Sequence, residues 1–157
     1  RSSAASDVYK RQAGKYFRKS MKNRTERIEL EIGTVDAKVI GDLNQLRFLL
    51  ENLIDEALAV HEDGLLRLQA RQDDEYIRFL FTDTRREKSL EELNLLFYPN
   101  LARMTAGEKG ELRGTEYLVC KQIIRDHDEF AGRRGCRINA EPAADGGFTV
   151  YFTVPRR

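Results

Sequence analysis

Asn52 and Glu56 stand four positions apart in a stretch whose leucines repeat at helical spacing, so both side chains leave one face, beside the apolar stripe. A carboxamide and a carboxylate so placed could be bridged by a metal ion that takes oxygen ligands. Arg103, Lys109 and Arg113 fall in a segment that also carries Gly107, Gly110 and Gly114. They supply charge to neutralise phosphates, although cations in such loops ordinarily serve solvation. The two histidines, His61 and His127, make no nucleophile arrangement with a serine or cysteine, which argues against covalent catalysis. His127 closes a helical stretch, where a cation favours the helix dipole, and a structural role is expected of it. Cys120 and Cys136 lack any metal-ligand spacing and are expected to be reduced, buried thiols.

These groups need elements to hold them. Ile28, Leu30 and Ile32 alternate with Glu29 and Glu31, the pattern of a strand with one buried face, and a short strand over 37–40 follows Gly33. Asp42 with Gln45 reads as a capping box opening a helix. Its inner face carries Leu43, Leu46, Leu50, Leu53 and Ala57, widened by Leu49, Ile54 and Leu58. Leu66, Leu68 and Ala70, then Ile77, Phe79 and Phe81, alternate on either side of an Asp73-Asp74 turn, which makes a hairpin. Ser89 and Glu92 form a second capping box on a short helix carrying Leu90, Leu93, Leu96 and Phe97, stopped by Pro99. The segment over 100–114 is lid-like. A third helix over 116–127 turns Tyr117, Cys120, Ile123 and Ile124 inward. Two strands, joined at Asp145-Gly146-Gly147, close the chain at Pro155. Grouped strands between helices favour α/β (α+β) architecture: a two-layer sandwich with a mixed, mostly antiparallel sheet and about three helices on one face.

The 157 residues fit one domain, with 34% charged and 41% apolar side chains. Basic and acidic residues number 27 and 26 and are interspersed, which leaves no broad positive field for nucleic acid or acidic lipid. No apolar run approaches the roughly 20 residues of a membrane helix. Residues 1–12 resemble a translated sequencing adapter and are read as an artefactual leader. Residues 13–23 read as a truncated linker or helix end, and 24–157 as the domain.

Four segments carry a family resemblance. Asp42, Leu46, Asn52, Leu53 and Ala57 resemble the helix pattern "D-x-x-x-L … N-L-x-x-N-A", with Glu56 where the second asparagine belongs and Ala59 where a lysine is usual. Asp83 matches the aspartate of "D-x-G-x-G", with Arg85 and Glu87 in place of both glycines. Leu90 to Phe97 fits a short helix ending in isoleucine-phenylalanine, and Gly114-Thr115 begins a shortened "G-T-G-L-G-L" turn. Together they are similar to the Bergerat-type ATPase domain of the GHKL group. The closing strands, ending Phe152-Thr153-Val154-Pro155, resemble those of bacterial sensor histidine kinases in particular.

The resemblance implies the C-terminal ATP-binding domain of a cytoplasmic two-component kinase, or of the cytoplasmic part of a membrane-bound sensor. Its cofactors would be ATP and magnesium: Asn52 and Glu56 hold metal and phosphate, Asp83 accepts from the adenine amino group, and Gly114 opens the phosphate-binding turn. Phosphoryl transfer would run from ATP to a histidine on a missing dimerisation segment, with a response regulator downstream. Neither nucleic acid nor membrane contact is expected of this domain. The alternative is a pseudo-ATPase, a protein-interaction or conformational relay module. Arg85, Glu87 and Ala59 favour it, since a glycine that lets backbone pass close to a base cannot become a long charged residue without filling the pocket.

Overall fold

Side chains that alternate inward and outward along five strands assemble the sheet that the rest of the molecule packs upon. The computed structural model describes residues 2–3, 5–33, 39–40, 42–98, 105–106, 112–113, 116–132 and 137–156. In chain order the elements are β1 (Ser2–Ser3), α1 (Ala5–Ser20), β2 (Ile28–Ile32), β3 (Val39–Ile40), α2 (Leu43–Leu58), β4 (Gly64–Gln72) and β5 (Tyr76–Asp83). Then come α3 (Leu90–Asn94), β6 (Thr105–Ala106), β7 (Leu112–Arg113), α4 (Glu116–Ala131), β8 (Ile138–Pro142) and β9 (Phe148–Pro155). The main sheet has the order β2-β4-β5-β9-β8, with β2 and β4 parallel and every other pair antiparallel. It is the mixed, mostly antiparallel sheet that the strand grouping implies. Two short ladders, β1 with β3 and β6 with β7, stand apart from it.

Leu66 and Leu68, Ile77 and Phe79, and Val150 and Phe152 fill the inner face of the sheet. Phe79 and Phe152 stack with ring centroids 5.1 Å apart. Over them lie α1, α2 and α4, with α2 touching both of the others. The expected stripe of α2 is buried from Leu46 to Leu58, and each such leucine contributes about 1.5–3 kcal/mol by leaving water. Cys120 is a buried thiol that donates to Leu49 O at 3.7 Å; Cys136 lies outside the described residues. Among the described residues no helix is long and apolar enough to cross a membrane.

Three expectations are revised by the packing. First, α1 is continuous across residue 12: Tyr9, Ala13 and Phe17 repeat every four positions and all are buried. Tyr9 meets Phe79 edge to face at 5.7 Å, and burial pushes its phenol well above the usual tyrosine range. The helix thus crosses residue 12 without a break. Second, Asp42 does cap α2, accepting from Asn44 N at 2.9 Å and Gln45 N at 3.3 Å, but its own N–H donates to His127 Nε2 at 3.0 Å. The return half of the capping box comes from another helix. Third, His127 lies inside α4 rather than at its end. Its Nδ1 donates to Ile123 O at 2.9 Å while Nε2 accepts, so the ring is the neutral tautomer tying α4 to the α2 cap, not a cation on a dipole.

The other turn chemistry is as read. Ser89 and Glu92 complete a capping box on α3, and the N–H of Ser89 holds the Glu92 carboxyl below the usual carboxylate range. Leu93, Leu96 and Phe97 are buried there, whereas Leu90 is exposed. Asp73 Oδ1 accepts from Glu75 N and Tyr76 N to close the β4-β5 hairpin.

Candidate functional site

Where β5 ends, the inward-facing position after Phe81 is a carboxylate, Asp83, rather than another aromatic. Beside it a cavity of about 70 Å³ lies between α2 and the sheet, lined by Leu53, Glu56, Ala57 and Val60 on one side and by Phe81, Asp83 and Phe148 on the other. Thus two of the sequence-derived site residues, Glu56 and Asp83, share one hollow. Asn52 is not among its lining residues, and its Nδ2 donates to Phe48 O of its own helix at 2.7 Å. Gly114 lies outside the described residues, as do Gly107, Gly110, Arg103 and Lys109. A larger groove of about 890 Å³ between α4 and β8 shares no lining residue with this hollow and is bordered by charges of both signs, such as Lys121 and Glu129. Asn52, Glu56 and Asp83 are not among its lining residues.

The dominant group at the end of β5 is Arg85. Its Nε donates to Asp83 Oδ1 and its Nη2 to Oδ2, both at 2.9 Å. Nη2 also reaches Ala57 O at 2.6 Å, and Nη1 reaches Val60 O and Glu62 O at 3.0 Å each. All five N–H donors of the guanidinium are thereby satisfied. The side chains are 1% exposed for Arg85 and 5% for Asp83, so the pair is an interior ion pair rather than a surface one. Geometry of this quality is what a buried pair needs to offset its desolvation. The cation also closes the C-terminal end of α2, where carbonyls lack helical partners and the dipole is negative.

Two glycines make the arrangement possible. Gly64 opens β4 at a φ of 147°, and a Cβ there would fall within the Arg85 side chain at Cγ. Gly147 has a φ of 79°, and a Cβ there would overlap the Asp83 carbonyl oxygen. Backbone contact this close is open to glycine alone. Behind Asp83, the hydroxyls of Thr82 and Thr149 pair at 2.7 Å and are buried.

At the rim, Arg86 and Lys88 also line the cavity. Arg86 pairs twice with Glu62, at 2.8 and 3.2 Å, and that hydrogen bonding holds the Glu62 carboxyl below its ordinary range. Lys88 sits 5.3 Å from the Phe148 ring centroid. His61 Nδ1 meets Glu26.

The sequence reading had noted Arg85 as an obstacle in a glycine's place. It missed that Arg85 and Asp83 bind each other, yet the signal was present: residues two apart at the end of an extended strand share a side. The pairing of His127 with Asp42 has no such local sign, because 85 residues separate them.

Adenine does not fit this hollow as it stands. Both carboxylate oxygens of Asp83 are engaged by Arg85, and the hollow is well short of the ~300 Å³ at which small-molecule sites begin. Among the described residues, no group of three or more histidine, cysteine, aspartate or glutamate side chains is gathered to hold a metal ion.

With this geometry in view, the family model described as "Histidine kinase-, DNA gyrase B-, and HSP90-like ATPase" matches residues 41–157. The catalytic domain of histidine kinase ThkA, in a nucleotide-free form, is similar over 99% of this chain and 95% of that one, with a TM-score of 0.74 at 18% identity. The mycobacterial sensor histidine kinase MprB is similar over 100% of this chain and 99% of that one, with a TM-score of 0.70 at 18% identity. A complex of ThkA with the response regulator TrrA matches over 96% of this chain and 40% of that one, with a TM-score of 0.69 at 18% identity. At these identities the likeness is one of fold. No curated protein matches the sequence.

Proposed function

We propose a function from one premise: the chain belongs to the Histidine kinase-, DNA gyrase B-, and HSP90-like ATPase family. Within it, this is the ATP-binding-type domain of a cytoplasmic two-component sensor kinase, retained as a protein-interaction and relay module with its base site closed. The observation that carries this reading is the five-bonded Arg85, buried against the one carboxylate that the family's pattern sets aside for adenine.

For a nucleotide to take Asp83, Arg85 would have to leave, exposing three carbonyls and breaking a buried ion pair. Breaking such a pair costs about 3–5 kcal/mol. That is about as much as millimolar binding supplies, roughly 4 kcal/mol. The partners proposed are a dimerisation and phosphoacceptor segment of the same protein and a response regulator, the latter by analogy with ThkA and TrrA.

A second reading keeps ATP and magnesium, with Asn52 and Glu56 on the metal, Asp83 on adenine and Gly114 at the phosphate turn. What favours it is that Glu56 and Asp83 line one hollow. Thermal unfolding with increasing MgATP separates the two, because a ligand of the native state raises stability by mass action. The closed-site reading expects an unchanged midpoint at 5 mM nucleotide, roughly the upper end of ordinary affinities. A saturable rise would establish the second reading in its place.

A further inference from the structure

Charges of both signs are interspersed along most of the chain, but not at its start. The first 24 residues hold eight basic side chains and one acidic, whereas the remaining 133 hold 19 and 25. On α1, Tyr9, Ala13 and Phe17 face the core, so Arg11, Lys15, Arg18 and Lys19 leave from the opposite side, continued by Lys22 in the turn that follows. All five are exposed, and among the described residues none of them forms an ion pair. Asp55 of α2 meets α1 at Tyr16 instead, with 2.7 Å between their oxygens. Four of the five cations lie beyond residue 12, so the ridge does not depend on the leader. Solvation alone would be served by mixed signs, and like charges three and four positions apart weaken a helix. An anionic surface laid along the ridge removes that repulsion.

We propose that this ridge attaches the chain to an anionic lipid surface, resting on the headgroups without insertion, because the apolar side of α1 is already buried in the core. Each lysine or arginine near such a surface strengthens binding roughly fivefold. The acidic remainder of the chain is repelled by the same surface, which selects one orientation, with α1 against the lipid. Other polyanions suit the ridge less well. The exposed large apolar side chains, Phe48, Leu90, Leu95 and Tyr98, lie outside α1, so the ridge lacks the aromatic anchor of a protein interface and the stacking rings of a single-strand site. A helix packed along α2 and β2 is not free to enter a DNA groove. Membrane contact, which the charge balance of the whole chain argues against, thus follows from where the cations stand, whether the base site is open or closed.

The experiment is cosedimentation of the full chain with vesicles of phosphatidylcholine, alone or with about 30% phosphatidylglycerol, in about 0.1 M salt. The wild type should sediment with the anionic vesicles and not with the neutral ones. Lys15→Gln, Arg18→Gln, Lys19→Gln and Lys22→Gln together should weaken that binding by about 100-fold or more, since four cations act at roughly fivefold each. Arg71→Gln, Arg78→Gln, Arg125→Gln and Arg137→Gln make the same change of charge on exposed residues outside α1. They should weaken binding less than about threefold, because charges more than a Debye length from the lipid are screened. Equal losses in the two variants, no sedimentation of the wild type, or equal sedimentation with neutral vesicles would each overturn the proposal. So would tighter binding to polyglutamate or to duplex DNA than to the anionic vesicles, which points to a protein or nucleic-acid partner instead. If the α1 variant does not fold, nitroxide-labelled lipid decides the matter on the wild type. Amide resonances of residues 11–22 should broaden first, and broadening centred on any other element overturns the proposal.

Discussion

The two ends of β5 are built on opposite principles. At one end Ile77 and Phe79 meet Val154 and Phe152 in a dry, apolar layer where shape is the main requirement. At the other, Thr82 and Asp83 meet Thr149, Arg85 and the end of α2 through buried polar contacts that are directional. An apolar core tolerates exchange of similar volumes, whereas a buried ionic cluster fails when one partner is lost. The architecture therefore persists at 18% identity to a structural neighbour, while at the polar end the Asp83 carboxylate is paired with a buried Arg85.

The sharpest way to break this contrast is Asp83→Leu, which strands the Arg85 guanidinium in the interior. The expected loss is about 3–5 kcal/mol in urea unfolding, and adding Arg85→Met to the same chain should recover most of it. Equal losses in the single and double variants would show that the ion pair is not what Asp83 contributes. Gly147→Ala tests the same end through the backbone. Its φ of 79° and its contact with the Asp83 carbonyl predict a loss of about 1–3 kcal/mol, read as a lowered denaturation midpoint. Phe152→Leu, at the apolar end, should cost less than about 1.5 kcal/mol. A larger loss there than for Asp83→Leu would invert the comparison.

Much of the fold was legible because periodicity is local. Alternation in Ile77, Phe79 and Phe81 and the leucine stripe of α2 each lie within a few turns of chain, and their burial follows directly. The continuity of α1 across residue 12 was not legible, because Tyr9, Ala13 and Phe17 share a face with small and basic neighbours between them, a stripe too sparse to read without the sheet beneath it. Of the candidate site, Glu56 and Asp83, which the family resemblance marks, line one hollow. Asn52 does not, because a carboxamide can satisfy itself on the preceding turn of its own helix, as it does at Phe48. The role of Arg85 depended on carbonyls 23 to 28 residues away, which no window of sequence exposes.

The most direct measurement is hydrogen exchange at the arginine Nε–H groups, followed by nitrogen-edited magnetic resonance with and without saturating MgATP. Arg86, whose side chain is 54% exposed, supplies the internal reference. Arg85 should exchange far more slowly than Arg86 and keep its resonance when nucleotide is added. Exchange as fast as that of Arg86, or an Arg85 signal displaced by MgATP, would contradict the occupied carboxylate on which the closed site depends.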